Sequence, residues 1–242
     1  MMAEDITPNR LDRAKLAISR LVDKLKDDKI GLIVFAGDAY TQLPITTDYN
    51  SAKLFLNSIN TQIVPKQGTA IGAAINLAER SFTPDSKSNK AIIVITDGEN
   101  HEDDAVAAAT AAAEKGIVIH TIGMGLQQGS PIPVLRNGQT EYLKDGSGNV
   151  VVTKLDEATL EKVAAAGEGI YIRANNAQVG LNTLLDEINK LQKTEMDAMI
   201  YSEYNDQFQY FFALGLFLII LEFLILERKN RYLKNINLFS VK

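Results

Sequence analysis

Segment 91–104, A-I-I-V-I-T-D-G-E-N-H-E-D-D, leaves few folds open to this chain. From Ala91 to Ile95 it offers no polar side chain to either face. As a strand it must therefore be covered on both sides, the condition of an interior strand in a parallel sheet. It breaks off at Asp97 and Gly98. In open α/β sheets ligands gather at the carboxyl ends of the strands, so Asp97 stands where binding chemistry is expected. An anion, a cation or a phosphate would each suit that position.

The remaining segments supply the cover. Leu11, Ala14, Leu16, Ile18, Leu21, Val22 and Leu25 fall at helical spacing and predict a helix over 10–26, ended by Asp27 and Asp28. A buried strand over 30–35 turns into a shorter alternating edge piece over 40–45, and Asn50 or Ser51 caps a short helix. The loop 65–70 opens a helix with Ile71, Ala74, Ile75 and Ala78 on one face. After Asp97 come an alanine-rich helix over 103–115 closed by Gly116, a buried strand over 117–122, a hairpin insertion over about 130–153, a helix over 156–166, a short strand over 169–173 and a last helix over 178–192. This alternation predicts an α/β fold: a Rossmann-like, mostly parallel sheet with helices on both faces, forming one domain over 1–192.

Beyond a linker at 193–207 the character changes. Segment 208–226 is almost unbroken apolar sequence and, at ~1.5 Å per residue, reaches roughly 28 Å, the thickness of a bilayer core. Acidic residues precede it, while Arg228, Lys229, Arg231 and Lys234 follow in the tail 227–242. The positive-inside rule then puts the C-terminus in the cytoplasm and the α/β domain outside. Glu222 lies within about a turn of the basic flank and is expected to snorkel to the interface. The first residues carry no basic, apolar leader, so a segment that starts translocation is expected to be missing upstream of Met1. A net charge of −5 offers no basic surface for nucleic acid, and the absence of cysteine excludes disulfides, thiolate zinc and thiol catalysis.

Two residues stand out as ligands. Thr69, just before a helix, is by position an N-cap hydroxyl. Asp97 is by position the acidic end of a strand. Together they are two hard oxygen donors at neighbouring strand ends, which suits a magnesium ion that keeps waters and an open position. No G-x-x-x-x-G-K-[ST] occurs, Gly123-x-Gly125 lacks the rest of a dinucleotide fingerprint, and the acidic turn at 145–149 lacks the glycine and glutamate of a calcium loop. His120 falls inside a strand and reads as core. His101, beside Glu99 and Glu102, allows an alternative in which Asp97, Glu99 and His101 serve a metal-assisted hydrolase, although no nucleophile accompanies them.

Q-G-T-A-I-G-A-A-I (67–75) together with I-V-I-T-D-G-E-N-H (93–101) resembles the von Willebrand factor A domain, and M-A-E-D-I-T-P-N-R-L-D-R-A-K (2–15), G-L-I-V-F-A-G-D-A-Y (31–40), G-S-P-I-P-V (129–134) and D-G-S-G-N-V-V-V-T-K-L-D-E (145–157) are similar to the bacterial aerotolerance, or Bat-type, membrane proteins. The resemblance implies a metal-ion-dependent adhesion site in which Thr69 and Asp97 are metal residues, Thr69 gating the coordination and Gly68 and Gly98 letting backbone approach. It implies Mg2+ as cofactor, and a binding module rather than an enzyme. It further implies protein partners: other envelope proteins of the same kind and a MoxR-type AAA ATPase system, at the inner membrane with the domain on the periplasmic side. The family's D-x-S-x-S loop, which lies directly before the segment matching 2–11, occurs nowhere. The chain is therefore expected to lack the first strand of the fold, to bind Mg2+ weakly or not at all, and to leave strand edges unpaired. A metal-free scaffold is the third alternative.

Overall fold

The computed structural model describes residues 1–83, 88–99, 103–136, 139–174 and 208–226. The chain divides into two units, Met1–Glu195 and Met196–Lys242.

In the first unit, α1 (Arg10–Val22) is capped by Asn9, whose side chain accepts from the Asp12 amide at 2.8 Å and donates back to the Asp12 carboxylate at 2.7 Å. It stops short of the expected Lys26, because beyond Val22 only Leu25 among the next seven residues is apolar and a further turn would bury almost nothing. β1 (Ile30–Phe35) and β2 (Ala39–Thr46) form an antiparallel hairpin. α2 (Tyr49–Ser58) is capped by Asp48, not by Asn50 or Ser51: its carboxylate accepts both of their amides at 3.0 Å, and its charge suits the positive end of the helix. Then follow α3 (Ile71–Ser81), β3 (Lys90–Thr96), α4 (Ala105–Ala113) and β4 (Ile117–Gly123). The insertion holds β5 (Ser130–Pro131), β6 (Pro133–Arg136), β7 (Gln139–Tyr142) and β8 (Val152–Thr153), paired β6 with β7 and β5 with β8. α5 (Glu157–Ala166) and β9 (Glu168–Arg173) complete the described part of the unit.

β3, β4 and β9 make a parallel sheet in the order β3-β4-β9. Ile92, Val94, Ile117 and Ile119 face α3, α4 and α5, in a core with Ile71, Ile75, Ala109, Leu160 and Val163. Ile93, Ile95, Ile122 and Met124 meet Ala14 and Leu21 of α1. Helices therefore cover both faces, as the apolar run of β3 demands, and each fully buried Ile or Leu contributes about 1.5–3 kcal/mol. Alanines 105, 108, 109 and 112 are buried on α4, where small side chains let the helix lie close to its neighbours.

Among the described residues the expected single sheet is divided, the β1–β2 hairpin standing apart from β3-β4-β9, with two further two-stranded pairs in the insertion. Among the described residues β1 pairs only with β2 and β3 only with β4, so each keeps one open ladder edge, and no strand joins them. The two sheets are held through α3, since Phe35 of β1 packs on the same apolar cluster as Ile71 and Ile75.

In the second unit, α6 (Phe208–Leu226) is a helix of 19 residues. Its described side chains, among them Phe212, Leu214, Leu216, Phe217, Ile219 and Leu221, are exposed. Among the described residues no helix is long and apolar enough to cross a membrane. The last expected helix (178–192), the linker (193–207) and the basic tail (227–242) lie outside the described residues, as does the side chain of Glu222.

Candidate functional site

Three chain turns meet at the carboxyl ends of β1 and β3. The Ala36 carbonyl, just past β1, accepts the Ala70 amide at 2.7 Å, and the Gly37 amide donates to the Lys66 carbonyl at 2.9 Å. The Met124 amide, just past β4, donates to the Thr96 carbonyl at 2.8 Å. Asp103, which the sequence offered only as the start of a helix, joins two of these turns. Its carboxylate accepts the Gly72 and Ala73 amides at 3.0 and 2.7 Å, so it caps α3 from a loop 31 and 30 residues further along. Thr69 does not cap that helix: the N-cap is Ala70, with no side-chain bond, because Asp103 has taken the free amides. Thr69 is half-buried in the loop beside Gly68, whose φ is +137°.

Asp97 is 7% exposed. Its main-chain carbonyl accepts the Asp156 amide at 2.9 Å, which pins the start of α5 against the end of β3. Gly98, at φ +81°, lets this happen: a Cβ there would stand 2.5 Å from the Asp156 carbonyl oxygen.

The carboxylate of Asp97 is held by a residue that composition and spacing did not single out. Arg10, the first residue of α1, is wholly buried. One of its terminal nitrogens donates to Asp97 Oδ2 at 3.1 Å and to Thr153 Oγ1 at 3.0 Å. The other donates to Asp5 Oδ2 at 2.8 Å and to the Thr153 carbonyl at 3.2 Å, and Nε donates to Asp5 Oδ1 at 2.8 Å. Thr153 Oγ1 in turn donates to Asp97 Oδ2 at 3.3 Å. The α-amino group of Met1 lies 3.5 Å from the same oxygen. Gly125, at φ +131°, allows the guanidinium to lie flat against the backbone, since a Cβ there would fall 2.7 Å from Arg10 Cζ.

This network ties the N-terminal segment, the β4–β5 loop and the insertion to one point. Burial opposes the charge on Arg10, but Asp5 and Asp97 outweigh it, and the pKa is raised above the ordinary arginine value. For Asp5, burial pushes the carboxyl up, and Arg10 and the Leu126 amide together more than reverse this, holding it below the usual carboxylate value. An acid whose folded pKa is depressed contributes stability above its unfolded pKa of about 3.9 and loses it as pH falls through the folded value. Acid unfolding of Asp5→Asn is accordingly expected to be less steep below pH ~4 than that of the parent, with lower stability at pH ~7; parallel acid transitions would refute the assignment.

The donor set does not fit a divalent metal. Mg2+ takes about six ligands, of which Thr69 and Asp97 are two, and Asp97 Oδ2 already accepts from a guanidinium. Among the described residues no group of three or more histidine, cysteine or acidic side chains converges. Glu99 accepts the Lys154 amide at 2.8 Å and so braces the insertion rather than joining Asp97. His101 and Glu102 lie outside the described residues. His120 is buried, with Nδ1 accepting the Ile170 amide at 3.2 Å, as a core histidine should be.

Residues 3–187 match the family model of the von Willebrand factor type A domain. The solved structure of the protein BatB from Bacteroides thetaiotaomicron is 56% identical, covers 80% of this chain and 93% of its own, and superposes with a TM-score of 0.77. An aerotolerance-related membrane protein from Bacteroides fragilis is 54% identical, with 78% and 93% covered and a TM-score of 0.75. An uncharacterised protein of Borreliella burgdorferi is 25% identical over 219 residues, 89% of this chain and 62% of the relative, so the chain spans well under the full length of that curated relative. A parallel β3-β4-β9 sheet between helices, with its loops gathered at the Asp97 edge, and a family match over most of its length make this chain a member of the von Willebrand factor type A family, in the group of the aerotolerance-related BatB proteins.

Proposed function

We propose that the chain is a protein-binding module that docks a partner at the edge carrying Thr69 and Asp97, and that α6 anchors it in the inner membrane with the module on the periplasmic side. The observation that carries the docking reading is the tying of the turn at 36–38 to the loop at 65–70 through the Ala36 carbonyl and the Gly37 amide, and of Asp103 to the first turn of α3. Loops fixed in this way present a preorganised surface, which lowers the ordering cost of binding. The anchor rests on the exposed apolar side chains of α6, on the basic residues that follow it in sequence and on the similarity to a membrane protein. Partners are drawn from envelope proteins of the same Bat type and a MoxR-type AAA ATPase system, in an assembly concerned with stress or oxygen tolerance.

The hold of Arg10 on Asp97 Oδ2 favours docking without Mg2+. A hydrolase built on Asp97, Glu99 and His101 draws no support from the geometry, in which Asp97 and Glu99 bind Arg10 and the Lys154 amide. The test is co-purification of cross-linked envelope partners with the full chain from membranes. Thr69→Lys, a change in a loop at the docking edge, is expected to lower recovery of a given partner at least about tenfold with the thermal midpoint unchanged, and chelation is expected to leave recovery unaltered. Equal recovery with Thr69→Lys would remove the edge from the binding surface, and loss on chelation would restore the metal-dependent reading.

A further inference from the structure

Two cationic groups of this chain lie against Asp97 Oδ2, the Arg10 guanidinium at 3.1 Å and the Met1 α-amino group at 3.5 Å, and of the two Arg10 is the one anchored by a full set of hydrogen bonds. A guanidinium has five N–H donors, and all five of Arg10's have acceptors: two on Asp5, one on Asp97 and two on Thr153. We propose that Arg10 is the resident cation of this edge, fixed within the chain in place of a divalent ion, and that it closes the edge to divalent metals for as long as it stays seated. The inference takes its placing of the edge from the docking reading and needs no partner.

Two physical consequences set it apart from an ordinary structural ion pair. While Arg10 is seated, a divalent ion approaching Asp97 Oδ2 would meet an oxygen already accepting from Arg10 and Thr153, beside a fixed positive charge. Once the guanidinium is removed, the space it leaves is faced by Asp5 Oδ1 and Oδ2, Asp97 Oδ2, Thr153 Oγ1 and the Thr153 carbonyl. These are hard oxygen donors carrying two negative charges, the set that Mg2+ and Ca2+ prefer, with the Met1 α-amino group still 3.5 Å from Asp97 Oδ2 at the border of the space. A cation site is thus latent beneath Arg10, distinct from one formed by Thr69 and Asp97.

Thermal unfolding of the full chain in detergent, with magnesium or calcium alone added in millimolar excess and with chelator as control, tests this. Wild type and Arg10→Lys are expected to shift by less than about 1 °C, whereas Arg10→Ala, destabilised in chelator, is expected to regain at least about 3 °C with either metal. That recovery should vanish when Asp5→Asn is added and persist when Thr69→Ala is added. Asp97-dependent stabilisation of the wild type by metal would overturn the inference, as would a folded Arg10→Ala indifferent to metal. Should Arg10→Ala fail to fold under either condition, wild type and Arg10→Lys decide: indifference of both supports the inference, and metal stabilisation of either overturns it. A wild-type metal response leaves partner recovery untouched, and loss of the docking reading leaves metal indifference untouched, so the two failures are distinguishable.

Discussion

Replacing Arg10 by methionine is expected to cost the fold about 3–5 kcal/mol, read as a lower denaturant midpoint for the full chain in detergent. Methionine fills a similar volume, so packing loss is small and the cost is electrostatic. It leaves the Asp5 carboxylate, with a side chain 3% exposed, and the Asp97 carboxylate, 10% exposed, without their shared donor. Removing one partner of a buried pair is far more costly than exchanging both. The damage should spread along the contacts: amides of the N-terminal segment, of Leu126 and of Thr153 should lose hydrogen-exchange protection together, because Arg10 or its partner Asp5 holds each of these stretches. A cost below about 1 kcal/mol would show that the five bonds do not persist in solution.

The second large effect is at Gly98. Alanine there is expected to cost about 2–4 kcal/mol: a left-handed φ is disfavoured for L-residues by roughly 1–2 kcal/mol, and overpacking adds a comparable amount. The atom that would be struck is the Asp156 carbonyl oxygen, 2.5 Å from the new methyl group, and Asp156 is itself tied to Asp97 by a main-chain bond. Neither can yield without moving α5 or Asp97. Thermal melting would check this, and a midpoint within about 1 °C of wild type would mean that the turn relaxes at no cost.

What the sequence revealed of this molecule, and what it hid, divides along range of interaction. The buried strand ending at Asp97, the alanine-rich helix α4 and a hairpin in the insertion are local patterns, and local patterns survive into structure. Arg10 pairs with Asp97 across 87 positions and with Thr153 across 143, and nothing in its neighbourhood encodes either partner. One signal was present. Arg10 opens a helix, where the dipole disfavours a cation, and directly follows an Asn cap, so a distant anion had to account for it. Asp103 was hidden for a similar reason: it reads as an acid near the start of α4, while Asp104 caps that helix and Asp103 serves α3. The division of the sheet is likewise a matter of long-range pairing: among the described residues β1 pairs with β2 and β3 with β4, and no strand joins them.

A double-mutant cycle between Arg10→Met and Asp97→Asn, measured by denaturant unfolding of the full chain in detergent, tests most directly whether the Asp97 edge is organised around an internal cation. If Arg10 and Asp97 are direct partners, the double variant will be about 1.5–3 kcal/mol more stable than the sum of the single losses predicts. Additivity within about 0.5 kcal/mol would contradict this and return Asp97 to the role of a free ligand.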